Sequence, residues 1–374
     1  MKSLYIGYFK PSEADIKEMW QNSIFVFDTN VLLHLYRYST DAREQLLNII
    51  EAFKDRTWIP RKVADEFFDN RLEVLGKQIQ EYSNLTKILN KAEDDLKNSR
   101  QHPFINSDSL QKFQELLAQI KSELDENKNL LLARSNDDEI LNRIGELFDG
   151  KVGDSFSQAE LDAIYTEGAQ RAEKKIPPGF RDVQGKANSG DNYRIYGDFV
   201  LWKQILEKAS KEQCGVIFVS DDKKEDWWLE FQGRKISPLP YLSQEFHEKT
   251  KKPFFMYTVD RFMEYASKFL ETAVSEAIIE EVRDIRETEE RKYFTVISEQ
   301  TLLEKLKAYE SLISDDPQAY VGLRHFVTVV LGEQGYEINH SYAIINNLIE
   351  REVIKSFEVP TGLGMAKAIS LKQT

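Results

Sequence analysis

Acidic residues stand at the ends of two apolar runs in this chain. Asp28 closes Ile24-Phe25-Val26-Phe27 and is followed by Thr29 and Asn30; Asp221 and Asp222 follow Ser220 at the end of Val216-Ile217-Phe218-Val219. Glu66 lies early in an apolar-periodic segment that starts behind Pro60, and Asp198 opens Gly197-Asp198-Phe199-Val200-Leu201-Trp202. Each alone has an ordinary reading: Asp28 and Asp198 as helix caps, Glu66 as a solvated helix residue, Asp221-Asp222 as the start of an acidic turn. Together they ask for another. Isolated carboxylates are costly to bury, so several gathered at one rim need compensation, and the commonest is a hard divalent cation such as Mg²⁺ or Mn²⁺ held by carboxylate oxygens.

Whether these acids meet depends on the elements that carry them. Ile24-Phe25-Val26-Phe27 is a buried strand that passes through a polar turn into a helix. A second helix starts at Ser39-Thr40-Asp41 and turns Leu46, Leu47, Ile49, Ile50 and Phe53 inward; Thr57-Trp58-Ile59 is extended, and Pro60 suits the first turn of a third helix. That helix holds Glu66 and continues with Leu72, Leu75, Ile79, Tyr82, Leu89 and Leu96 at three- and four-residue steps. His102-Pro103 breaks it. Behind Ser107-Asp108-Ser109 a return helix sets Leu110, Phe113, Leu117, Ile120 and Leu124 on one face, so the pair reads as a charged antiparallel hairpin. Pro177-Pro178-Gly179 opens a loop running to about Tyr193, and helix resumes from Tyr196. With further apolar strands at 216–219 and 254–257, the pattern is α/β, a parallel sheet with helices on both sides. In such sheets functional groups gather at the carboxyl ends of the strands.

FVFDTNVLL, IPRKVADEF, YGDFVLW and VIFVSDDKKEDWW, in this order, resemble a PIN-like domain. More narrowly they resemble the bacterial PIN-like family in which a long helical insertion separates the second acid from the third. The resemblance covers residues 25–265 and implies a metal-dependent nuclease with carboxylates around one or two Mg²⁺ or Mn²⁺ ions. Carried over by position, the catalytic and metal-binding acids are Asp28, Glu66, Asp198 and one of Asp221 and Asp222. The family's last motif, Ser or Thr, any residue, then Asp, favours Asp222 and leaves Asp221 second. Thr29, Asn30 and Ser220 are then the donors that orient the acids. Phosphodiester hydrolysis needs a hydroxide near neutral pH and charge compensation at the phosphate, and paired metals supply both; the resemblance implies 5′-phosphate and 3′-hydroxyl products. The expected layout is a PIN-like nuclease domain over 1–270 with the helical insertion 72–148 inside it. A charged linker helix over 271–291 and a small helical or winged-helix-like domain over 292–374 follow.

The 50 Lys and Arg stand against 63 Asp and Glu, a net charge of −13, which argues against a mainly electrostatic DNA binder. Basic residues nonetheless lie near the expected rim, and Lys62, Arg71, Arg194, Lys223 and Lys224 are the candidates for nucleic-acid contact, RNA ahead of DNA. The competing expectation is a catalytically weak PIN-like scaffold that binds nucleic acid or protein. The helical insertion and the C-terminal domain are the surfaces open to a second copy or a protein partner. One cysteine, Cys214, allows no intramolecular disulfide and no cysteine-based zinc site, so a reducing compartment, the cytoplasm, is expected. No apolar run approaches the roughly 20 residues of a membrane span.

Overall fold

The computed structural model describes residues 1, 5–97, 105–186, 191–222, 224, 226–231, 234–293, 297–312, 320–331, 336, 338–361 and 364–371. The chain divides into two compact units, Met1–Arg283 and Asp284–Thr374.

In the first unit, α1 (Glu13–Asn22) starts on a reciprocal cap between Ser12 and Asp15 and carries Trp20 into the core, where it packs on Phe25 and Phe262. β1 (Ile24–Phe27) follows, then α2 (Thr29–His34), α3 (Thr40–Ala52) and β2 (Thr57–Trp58). α4 (Arg61–Lys97) and α5 (Ser107–Ala133) form the long hairpin, joined across its middle by Lys121 and Glu93 at 2.6 Å. The apolar stripe of α4 falls as expected from Leu75 onward, but Leu72 is 54% exposed; the helix turns Val74 and Leu75 inward instead. His102-Pro103 lies outside the described residues.

α6 (Glu139–Phe148) and α7 (Gln158–Glu173) lead into the Pro177-Pro178-Gly179 stretch, which is less of a loop than expected. It carries two short helices, α8 (Phe180–Lys186) and α9 (Asn192–Ile195), before α10 (Gly197–Glu212). β3 (Val216–Val219) is followed by an antiparallel ribbon that the apolar pattern did not announce, β4 (Trp228–Phe231) and β5 (Arg234–Pro238). α11 (Pro240–Thr250), β6 (Phe254–Tyr257), α12 (Val259–Leu270) and α13 (Glu276–Tyr293) complete the run. The division between the units falls inside α13.

β1, β2, β3 and β6 form one parallel sheet in the order β2-β1-β3-β6. Its two central strands explain their own composition. Phe25, Val26, Phe27 and all four residues of β3 have no exposed surface, because helices cover both faces and leave no polar side to alternate with. Each such apolar side chain contributes about 1.5–3 kcal/mol on burial. The chain leaves β1 toward β2 and returns to β3 on the other side of β1. The crevice outside the carboxyl ends of β1 and β3 is therefore a topological switch point, the place where open α/β sheets hold their ligands.

The second unit runs α14 (Glu299–Leu312), β7 (Val321–Gly322), α15 (Leu323–His325), a π-helical turn over Phe326–Leu331, and α16 (Ile338–Glu350). A ribbon of β8 (Ile354–Thr361) and β9 (Gly364–Leu371) closes a three-stranded sheet in the order β7-β9-β8. Helices followed by a β-ribbon is the winged-helix order, around a core of its own that includes Leu302, Phe326, Ile345, Leu348 and Ile369. Among the described residues, no helix is long and apolar enough to cross a membrane.

Candidate active site

Strand register brings the first two segments together. Phe27 is paired with Val219, so the next residues, Asp28 and Ser220, leave the sheet side by side. Asp28 N–H donates to the Val219 carbonyl at 3.0 Å, and Ser220 Oγ donates to Asp28 Oδ2 at 2.6 Å. Asn30 Nδ2 donates to the same Asp28 oxygen at 2.6 Å, while the Thr29 N–H caps Oδ1 at 2.7 Å as α2 begins. The carboxylate is thus held by neutral donors from its own turn and from the neighbouring strand.

The two residues after Ser220 part company. Asp222 returns to the rim: its N–H donates to Ser220 Oγ at 3.0 Å, and its Oδ1 accepts from the Lys224 N–H at 2.8 Å. Asp221 turns away and is buried. Its Oδ1 accepts from the Val259 N–H at 3.0 Å, capping α12, and its Oδ2 lies 3.3 Å from His34 Nδ1. Asp222 is the one of the pair that faces Asp28.

Glu66 enters on α4, four residues beyond Lys62, whose ammonium it meets at 3.0 Å; Thr29 Oγ1 donates to its other oxygen at 3.2 Å. Asp198 reaches the same rim because α10 packs closely at its start. A Cβ on Gly197 would come within 2.9 Å of Lys62 Cε and 3.2 Å of Glu66 Oε1, so a side chain there would push against the ends of Lys62 and Glu66. Gly179, at φ +87°, lies against Asp198 from the other side. Trp227 Nε1 donates to Asp198 Oδ2 at 3.3 Å, and Trp228 Nε1 to the Asp222 carbonyl at 2.9 Å. These buried indoles brace the acid-bearing loop and offer no face to a substrate base.

Two further acids belong to the cluster and carried no pattern in the sequence. Asp226 is fully buried; its Oδ2 accepts the N–H groups of Gly179 at 2.8 Å and Arg181 at 3.4 Å, fastening the stretch that precedes α8. Asp182 meets the Lys224 ammonium at 3.0 Å. Both lie outside apolar-periodic segments; the only hint was the density of acids in Asp221-Asp222 through Asp226.

The electrostatics follow from this crowding. Burial, then the nearby Asp222 carboxylate, pushes the Asp28 carboxyl up to about 7; the Ser220 hydroxyl opposes this, and Asp198 and Glu66 add to it. Burial also raises Asp222, against the pull of the Lys224 ammonium, and pushes Asp226 up to about 6 with help from Asp198. Burial disfavours the charged Lys224, but Asp198, Asp222 and Asp182 outweigh it and hold the ammonium well above the usual lysine range.

Carboxylates that penalise one another in this way fit a hard divalent cation, which takes oxygen ligands and relieves the repulsion. Among the described residues, however, no three acids, histidines or cysteines are drawn together tightly enough to enclose an ion as they stand. Each has at least one protein donor, although the buried Asp226 Oδ1 has none.

The basic candidates divide. Lys62 is 1% exposed; its ammonium donates to the Tyr193 carbonyl at 2.7 Å and sits 3.8 Å from the Tyr193 ring centre. Arg71 pairs with Asp138, which also accepts from Tyr36 Oη at 2.8 Å. Lys224 faces the acids, Arg194 is exposed, and Lys223 lies outside the described residues.

Residues 24–242, more than half of the chain, match the family described as a PIN like domain. No curated protein and no solved structure matches.

Proposed function

The chain belongs to the PIN-like domain family, and on that premise we propose that it is a metal-dependent nuclease that hydrolyses phosphodiester bonds, RNA before DNA. One observation carries the reading. The in-register ends of β1 and β3 put Asp28 and Asp222 at a topological switch point, and α4 and α10 bring Glu66 and Asp198 to the same rim.

Asp28, Glu66, Asp198 and Asp222 are the residues that would hold Mg²⁺ or Mn²⁺, with Asp221 assigned to capping α12. When bound, the metal supplies a nucleophile at neutral pH and neutralises charge on the phosphate. Water adds to phosphorus, the bond to the 3′-oxygen breaks, and the products carry a 5′-phosphate and a 3′-hydroxyl. The chain's own part is positional. Ser220 and Asn30 fix the rotamer of Asp28, Thr29 and Lys62 fix that of Glu66, and Trp227 fixes Asp198, so the ligands are oriented before any cation arrives.

The test is cleavage of end-labelled single-stranded RNA and matching DNA by the wild type and Asp28→Asn, in Mn²⁺, in Mg²⁺ and in chelator. Metal-dependent cutting that favours RNA and drops at least about 100-fold in the variant is expected, since removing a central ligand forfeits several kcal/mol of charge stabilisation. One observation favours the scaffold reading: every acid of the rim already has a protein donor. Equal, metal-independent binding by both proteins with no cutting would establish it.

A further inference from the structure

Lys224 follows directly on the acid loop. Its ammonium points back into the acids. It lies 2.7 Å from Asp198 Oδ2, 3.0 Å from Asp182 Oδ1 and 3.4 Å from Asp222 Oδ2. Its backbone N–H donates to the remaining Asp222 oxygen at 2.8 Å, so this one residue engages both oxygens of that carboxylate. The Asp222 backbone is pinned: Trp228 Nε1 and Lys235 Nζ each donate to its carbonyl at 2.9 Å. The side chain itself is 29% exposed. A lysine stem has four rotatable carbons, so the ammonium can swing out without moving the pinned backbone.

Two of its three partners, Asp198 and Asp222, are acids that the nuclease reading assigns to the metal. An ammonium and a divalent cation answer the same negative potential, and each repels the other from it. We propose that the Lys224 ammonium is the resident counter-cation of the acid rim, and that a divalent cation binds by displacing it to solvent. Lys224 is then a positioning residue. Before the metal arrives it offsets part of the negative charge of Asp198 and Asp222 and holds them in place, and it sets the concentration at which the metal enters. The inference rests on the metal-dependent reading above.

The deciding measurement uses the unaltered full chain. Amine-selective labelling, read by mass spectrometry at each lysine, is compared in chelator and in Mn²⁺. Lys224 labelling should rise several-fold with metal, while Lys121, paired with Glu93 in the hairpin, should not change. Calorimetric titration with Mn²⁺ alone supplies the second readout. Lys224→Met should bind Mn²⁺ about tenfold or more tightly than wild type, a difference of about 1.4 kcal/mol or more; Lys224→Arg, which keeps the charge, should bind no more tightly. If Lys224→Met does not fold, the labelling of the wild type decides alone. Mn²⁺ binding with Lys224 labelling unchanged or lowered overturns this proposal and leaves the nuclease reading standing. A wild type that binds no Mn²⁺ at all overturns both.

Discussion

At the scale of single residues, the acids of the rim are held in a state that costs stability, and the cost has a pH signature. The Asp28 carboxyl sits at about 7 and Asp226 at about 6, both above the ordinary aspartate value of 3.8. A carboxyl raised in the folded state binds its proton more tightly there than in the unfolded chain. Its contribution is therefore complete below the unfolded value and is lost as pH rises through the folded one. The depressed acids act oppositely: Glu245, held below 4.5 by Arg171 against its burial, has delivered its contribution by about pH 5. Between about pH 5 and 8 the raised acids therefore dominate. In chelator the urea midpoint should fall across that window, and saturating Mg²⁺ should flatten the fall by stabilising the ionised rim. A midpoint that rises through the window would show that Asp28 and Asp226 are not the protonated acids described here. How far the sequence disclosed these residues depends on where they sit. Asp28 was legible because an apolar run that stops at a carboxylate is itself a signal, and Asp222 because the Ser-any-Asp motif of the resemblance favoured it over Asp221. What the chain did not show is that the N-terminus of α12, 38 residues away, captures Asp221 and leaves Asp222 facing the rim. Asp182 and Asp226 had no such signal, since neither lies on a periodic element. The type of Lys224 was evident from the chain, but its direction was not.

At the scale of elements, what presents Asp198 is a buried polar brace that hydrophobic pattern could not reveal. Arg171 on α7 makes two bonds to Glu245 on α11, at 2.7 and 2.8 Å, and also donates to the Pro177 carbonyl. Trp202 on α10 donates to the same Glu245 at 2.9 Å. The Glu245 carboxylate thus ties α7, α10 and α11 together, and Arg171 anchors the Pro177-Pro178-Gly179 stretch that lies against Asp198. Breaking a buried pair strands a charge, so Arg171→Met should destabilise the protein by about 3–5 kcal/mol, read from urea unfolding. Pairing it with Glu245→Leu should restore most of that loss, because no charge is left uncompensated. If the double variant is as unstable as the single one, the arginine acts through packing on Phe199, 4.7 Å from its guanidinium, and not through the carboxylate. The sheet was readable because its strands are unbroken apolar runs, and the hairpin because its apolar residues recur at helical spacing. The β4–β5 ribbon was not: of β4, only Trp228 is buried, and Leu229 and Phe231 stay exposed, so no alternation marks it.

At the scale of the whole molecule, charge separates substrate handling from bulk attraction. The 284–374 segment holds 10 Lys and Arg against 14 Asp and Glu, a net of −4 within the total of −13, so neither unit is basic. Of the lysines and arginines expected to contact nucleic acid, Lys62 and Arg71 are spent on protein partners, and Lys224 on the acid rim. Among the described candidates, Arg194 is exposed. For single strands the logarithm of affinity falls with the logarithm of salt by about 0.7 per phosphate neutralised, so the slope for single-stranded RNA in Mg²⁺ should be no steeper than about −3. On the proposed reading, the metal and a released Lys224 carry most of the attraction and act only at the scissile position. A chain ending at Arg283 tests the same point, because the segment removed carries net negative charge and should contribute no phosphate contacts. Its slope should match that of the full chain within about one. A full-chain slope near −6 that collapses on truncation would place the nucleic-acid surface on the second unit, and recognition would then rest on α16 or the β8–β9 ribbon in place of the rim.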